Sequence, residues 1–215
     1  MPFQTLLQDY FKDQFSDSIL SQFAQYLALM SKWNKTYNLT AIKDPADMVL
    51  LHIADSLSIN PYLSGKKIID IGTGAGLPGI PLAIINPDKK FTLLDSNSKK
   101  TRFLIQVVSE LKLSNVEIVH ARVEDYKPAG CFDAVLSRAF SSLLKMVETT
   151  SHLCCNNGQL LAMKGIEPLQ EIKELTNRVI VDKLAKLKIK GLNAERHLVI
   201  IQPRCQLRNP DSIYP

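Results

Sequence analysis

The densest chemical signal is a run of four glycines in eight residues, Gly72-Thr-Gly-Ala-Gly-Leu-Pro-Gly79, which follows Asp70 at the end of a short apolar segment, Lys67-Ile-Ile-Asp-Ile71. Glycines let a backbone turn sharply and let a ligand approach without a Cβ in the way. A strand entering such a loop and a helix leaving it place the turn at the carboxyl edge of a parallel sheet, where open α/β folds bind ligands. Gly74-Ala-Gly76-Leu-Pro-Gly79 also fits the dinucleotide pattern G-x-G-x-x-G, so the loop alone leaves the ligand open. Asp95 lies nineteen residues beyond Gly76, at the end of a second apolar segment, Phe91-Thr-Leu-Leu-Asp95. A carboxylate there can accept from both hydroxyls of an adenosine ribose. Arg122-Val-Glu-Asp125, past a third segment, is placed to meet an adenine edge through the backbone of Val123 and Glu124 or through an acidic side chain.

That ribose occurs in nicotinamide dinucleotides and in S-adenosylmethionine alike. Two features favour the second. The alternation of strands and helices ends in a late strand pair, unlike a six-strand dinucleotide fold. No Tyr-x-x-x-Lys helix and no second domain with a hydride-transfer histidine is visible. A nicotinamide-dependent oxidoreductase using the same loop is the alternative reading. No Ser-His-Asp or Cys-His constellation appears, and the four histidines (52, 120, 152 and 197) are too scattered to nominate a metal site. Cys131, Cys154, Cys155 and Cys205 fit neither a disulfide framework nor paired zinc knuckles, and Cys154-Cys155 reads as buried helix packing.

The elements that must position these groups follow from periodicity. Ile19, Leu20, Phe23, Leu27 and Met30 recur at helical spacing between Ser16 and Trp33. Asp44-Pro45 supplies an N-cap and a first-turn proline for a second helix, stopped by Asn60-Pro61. The first sixty residues therefore read as a helical lobe, and residues 61–215 as the α/β domain. There the strand candidates are 67–71, 91–95, 116–120, 134–137, 159–164, 179–189 and 196–203. Helices fall at 80–85, 98–113, 142–153 and 168–177. Strands alternating with helices predict a mostly parallel seven-stranded sheet, closed by an antiparallel pair at its edge.

Composition bounds the rest. At 215 residues, 46% apolar and 22% charged, the chain can bury a substantial core. No segment approaches the roughly 20 apolar residues of a membrane span, and no signal peptide is apparent. A cytoplasmic protein without a membrane partner is expected, acting as a monomer. The net charge of +5 is uneven: residues 1–60 balance at −2, residues 61–165 at +4 and residues 166–215 at +3. That excess is compatible with a polyanionic partner. Candidate phosphate contacts are Lys99 and Lys100 at the start of the helix after Asp95, Lys164 after the fifth strand, and Arg196 with His197. Arg138, after the fourth strand, should point into the cleft. Asn34, Asn38 and Thr40 suit either a helical-lobe contact or capping.

Trp33-Asn-Lys-Thr-Tyr-Asn-Leu-Thr40, His52-Ile-Ala-Asp-Ser-Leu57, Asp70 through Pro81, Leu94-Asp-Ser96 with Lys99-Lys100 and Phe103-Leu104, Ser137-Arg-Ala-Phe140, Met163-Lys-Gly165 and Glu195-Arg-His-Leu198 occur in one order along residues 20–203. Together they resemble the bacterial small-subunit ribosomal RNA guanine-N7 methyltransferase family, RsmG, formerly GidB. The resemblance implies a Rossmann-like class I fold with an N-terminal helical extension. It also implies transfer of a methyl group from S-adenosylmethionine to N7 of one guanosine in 16S ribosomal RNA, with RNA or the small subunit as partner. By motif, Gly72, Leu77, Val123, Glu124 and Arg138 resemble cofactor-binding positions, beside Gly74 and Asp95 from the residue reading. Ala121-Arg-Val-Glu-Asp125 departs slightly from the Gly-Arg-Ala-Glu-Glu of many members. Guanine N7 carries a lone pair and no proton, so no general base is required and catalysis would rest on alignment.

Overall fold

The computed structural model describes residues 2–138, 140, 142–175 and 179–203. Strands β1 (Lys67–Ile71), β2 (Lys90–Asp95), β3 (Val116–His120), β4 (Phe132–Ser137), β5 (Cys154–Lys164), β6 (Val179–Lys186) and β7 (His197–Pro203) form one sheet in the order β3-β2-β1-β4-β5-β7-β6. The first five pair in parallel, and β7 runs antiparallel to both β5 and β6. The expected antiparallel pair does close this edge of the sheet, with the reversed strand β7 inside and β6 outermost. Composition explains the placement. His197-Leu-Val-Ile-Ile201 is buried throughout, as an inner strand covered on both faces must be. Asp182, Lys183 and Lys186 on β6 are exposed, and a register shift between Val181 and Lys183 interrupts its pairing; charges and bulges suit an edge that must not template further strands.

Helices cover both faces. On one lie α5 (Gly79–Ile85), α6 (Ser98–Glu110) and the N-terminal helices α1 (Pro2–Phe11) and α2 (Asp17–Tyr37), all sharing one apolar core with Ile68, Leu93, Leu136, Leu161 and Leu198 of the sheet. On the other, α7 (Leu143–Thr150) and α8 (Leu169–Leu175) pack over Ile69, Leu94, Val135 and Val199. Helix α1 was not anticipated individually; it buries Phe3, Leu7 and Phe11, one per helical turn.

Local chemistry sets the helix ends near the cleft. Ser16 caps α2 by accepting from the Ile19 amide at 3.4 Å, and Asn38 ends it in the left-handed conformation at φ 49°. Asn34 then bridges the turn, accepting from the Thr40 amide and donating to the Thr40 carbonyl, both at 2.9 Å. Capping and turn bracing therefore account for Asn34 and Asn38. Asp44 caps α3 (Pro45–Met48), which continues through a π-helical turn, Val49–Ala54, into α4 (Asp55–Leu57). Wide π turns frequently mark functional positions. This one carries His52 and leads directly into Asp55.

The cysteine reading is corrected. Cys131 and Cys155 form a disulfide with an S–S distance of 2.07 Å. They sit beside Phe132 and Cys154, which pair across β4 and β5, so the sheet register brings their Cα atoms to 4.9 Å despite 24 residues of separation. Cys154 and Cys155 belong to a strand, not a helix. Cys205 lies outside the described residues.

Candidate active site

The glycine loop is held by hydrogen bonds from both flanking strands. Gly72 and Thr73 donate their amides to the Leu94 carbonyl at 2.8 and 3.2 Å. Buried Asp70 accepts from the Thr73 hydroxyl at 2.7 Å and the Gly79 amide at 2.9 Å through one oxygen, Oδ2; its Oδ1 is buried with no hydrogen-bond partner among the described residues. Burial pushes the Asp70 carboxyl up to about 7, against the opposing pull of those hydrogen bonds and of Arg138. Gly79 lets the helix approach this carboxylate: a Cβ there would come within 2.2 Å of Leu93 and 2.9 Å of Asp70 Oδ2. The loop also leans on the helical lobe, where the buried Tyr26 hydroxyl donates to the Ala75 carbonyl at 2.7 Å. Sequence reasoning did not find that contact, because Tyr26 reads as one more apolar position on α2.

Above this loop opens a cavity of about 330 Å³ at the carboxyl ends of β1, β2 and β4, lined among others by Gly72, Asp95, Lys100, Val123, Glu124 and Phe140. Gly72 has φ +64°, and a Cβ added there would meet nothing within 4 Å, so its open face belongs to the cavity. Asp95 is buried, and its two oxygens accept from the Gly74 amide at 2.9 Å and the Asn97 amide at 2.8 Å. Each carboxylate oxygen has a second lone pair, so Asp95 can brace the loop and still accept from ribose hydroxyls. Val123 and Glu124 share a short 3-10 turn after β3, Val123 buried and Glu124 exposed. These residues fit an adenosyl cofactor: acceptors at the ribose end, an apolar wall with an acidic rim at the base end, and a loop with no side chain in the way.

Of the remaining predicted residues, Lys100 alone shares this cavity. Gly74 braces Asp95, and Leu77 is buried in the core beneath the loop, so neither places a side chain in this cavity. Lys100 stands 3.8 Å from Asp95 and lines the cavity, while Lys99 is exposed beside it. Lys164, Arg196 and His197 line a second cavity of about 440 Å³, together with Thr40, His52 and Asp55, and Arg138, expected by motif among the cofactor contacts, lines this second cavity rather than the first. Ser137 borders the first cavity and Arg138 the second, so the two meet at the end of β4.

The cations of the second cavity are engaged. Arg138 and Arg196 both reach Asp55, at 3.3 and 2.9 Å, and Lys164 pairs with Glu171 at 2.8 Å. Buried His197 has its Nδ1 3.1 Å from the Gly165 carbonyl. His52 Nε2 lies 3.0 Å from the Thr40 hydroxyl, and burial together with the charge of Arg138 lowers its pKa to about 4, leaving the ring neutral at physiological pH. Asp55, His52 and Glu171 were missed as site residues; the only available signal was that the first two share the His52–Leu57 block.

A seven-stranded sheet with one reversed strand beside its edge, and a nucleoside-sized cavity over the β1 loop, defines a class I methyltransferase fold. A methyltransferase from Aquifex aeolicus described as dependent on S-adenosylmethionine superposes with a TM-score of 0.59 at 17% identity, over 77% of this chain and 97% of that one. A glycopeptide N-methyltransferase solved with S-adenosylhomocysteine superposes at 0.61 and 9% identity, over 70% and 86%. The family model for the rRNA small subunit methyltransferase G proteins, GidB, matches residues 19–199, and the chain belongs to that family. Ribosomal RNA small subunit methyltransferase G of Actinobacillus succinogenes is 51% identical over 181 residues, 84% of this chain and 86% of that protein. Its counterpart from Hydrogenovibrio crunogenus is 50% identical over 191 residues, 89% and 88%. The oxidoreductase alternative is not supported: the sheet continues β5-β7-β6, with a reversed strand where a dinucleotide fold has a sixth parallel one.

Proposed function

We propose that this chain transfers a methyl group from S-adenosylmethionine to N7 of a guanosine in 16S ribosomal RNA, acting as a cytoplasmic monomer on the RNA or the small subunit. The observation that carries the reading is the pair of cavities meeting at Ser137–Arg138, one lined for a nucleoside and the other walled by arginines. When bound, S-adenosylmethionine supplies an electrophilic methyl group on a sulfonium. The chain's part is to orient. Asp95 would take the ribose hydroxyls, Val123 and Glu124 the adenine edge, and the open face of Gly72 would let the ligand lie against the backbone.

On the acceptor side no residue has to remove a proton, since N7 attacks through its lone pair. A neutral His52 and two arginines fixed by Asp55 suit that requirement: they can hold a purine and its phosphate without proton transfer. Alignment of two bound reactants is worth up to roughly 7–11 kcal/mol, enough to make a separate base unnecessary. The reading is tested by incubating the protein with tritiated S-adenosylmethionine and small-subunit rRNA that lacks the modification. Tritium should enter the RNA, and titration calorimetry should detect S-adenosylhomocysteine but not NAD. Binding of NAD with no methyl incorporation would overturn it.

A further inference from the structure

We infer that Asp55 is the positioning residue of the acceptor side, a single buried carboxylate that fixes Arg138 and Arg196 for contact with the acceptor groups of the target nucleotide. The inference rests on the functional reading above and adds to it a residue from the helical lobe. Asp55 Oδ2 lies 3.3 Å from Arg138 Nη1, and Asp55 Oδ1 accepts from Arg196 Nε at 2.9 Å. The carboxylate is 4% exposed, whereas the two arginine side chains retain 31% and 24% exposure. The anion is therefore hidden and the cations face the cavity. Each guanidinium carries five N–H donors in a rigid plane. Arg138 spends Nη1 on Asp55 and on the Leu51 carbonyl, and Arg196 spends Nε on Asp55 and Nη1 on the Glu195 carbonyl. Among the described residues neither Nη2 group has a hydrogen-bond partner, which leaves it for a ligand.

Charge supports the same assignment. Lys164 is matched by Glu171, so its charge is locally cancelled. One carboxylate between two arginines leaves a surplus positive charge in the cavity, suited to a phosphate or a guanine carbonyl. The geometry comes from three separate pieces of chain: Arg138 follows β4, Arg196 precedes β7, and Asp55 enters from the helix after the π turn.

The test compares wild type, Asp55→Asn, Arg196→Gln and the double variant in single-turnover methyl transfer to unmodified rRNA, with S-adenosylhomocysteine titration and thermal melting alongside. Each single variant should lose about tenfold or more in rate, with cofactor affinity within about twofold of wild type. The double variant should be no slower than the slower single, because residues acting as one unit are not additive. A wild-type rate in Asp55→Asn, or losses that multiply in the double variant, would overturn the inference. Should Asp55→Asn fail to fold, Arg196→Lys decides: it keeps the charge but not the fork, so the rate should fall while the salt dependence of RNA binding stays as in wild type, and an unchanged rate overturns the proposal. The Arg196 Nε–H resonance reads the clamp without turnover: slow solvent exchange in wild type, lost in Asp55→Asn. A wild-type protein inactive on RNA would count against the functional reading, while that resonance still decides for or against the clamp.

Discussion

At the scale of single residues, Gly72 and Gly74 have similar backbones and different duties. Both have positive φ, but only Gly72 turns its missing Cβ toward the cofactor cavity; at Gly74 the nearest atoms would be the Gly72 carbonyl and Lys100 Nζ, each 3.9 Å away. Gly72→Val should therefore abolish S-adenosylhomocysteine binding in calorimetry and lower stability by about 1–2 kcal/mol from backbone strain. Wild-type affinity in that variant would mean the cavity over the loop is not the cofactor site. Asp70 gives a pH prediction. Its folded-state pKa of about 7 lies above the ordinary 3.8. The unfolded chain therefore ionises first, and this residue's contribution to stability is greatest below about pH 4 and declines as the pH rises to about 7. Asn imitates the protonated acid, so Asp70→Asn should flatten that decline, by on the order of a few kcal/mol at most. Chemical denaturation at several pH values checks it; a parallel decline in the variant would assign the slope to other groups.

At the scale of elements, much was legible because each element carries its own signal. The Gly72–Gly79 turn, the carboxylate ending β2 and the 3-10 turn at Val123 can each be read from a few adjacent residues, and they line one cavity. What could not be read depends on contacts between distant segments. The Asp55 clamp joins residues 83 and 141 positions apart. The disulfide depends on the register of β4 with β5. The insertion of β7 between β5 and β6 depends on which apolar strand finds cover on both faces. Tyr26 belongs to the same group, since its hydroxyl serves a loop 49 positions away. Tyr26→Phe keeps the ring and leaves the buried Ala75 carbonyl without that donor, at a cost of about 1–3 kcal/mol. The melting temperature should fall, and S-adenosylhomocysteine should bind more weakly because the loop is less firmly held. Unchanged values for both would show that the loop needs no support from the helical lobe.

At the scale of the whole molecule, the positive excess lies in the sheet-bearing part of the chain, and both cavities open at the same carboxyl edge. The two lysines after β2 now separate in role. Lys99 is exposed, whereas Lys100 lines the cofactor cavity near Asp95. If Lys99 meets a phosphate, Lys99→Ala should lower the salt slope of RNA binding by about one unit and leave S-adenosylhomocysteine affinity intact. Lys100→Ala should instead change cofactor affinity. A wild-type slope in Lys99→Ala would make that lysine ordinary solvated surface and shift the RNA contact toward the arginines of the second cavity.

The most direct test of the whole account is the position of the transferred methyl group. After a single turnover on unmodified small-subunit rRNA, borohydride reduction and aniline treatment cleave the strand wherever a guanine carries a methyl at N7. One new, enzyme-dependent scission at a guanosine is the expected result. Methyl incorporation without scission would contradict the account, because the methyl group would then sit at an atom other than guanine N7.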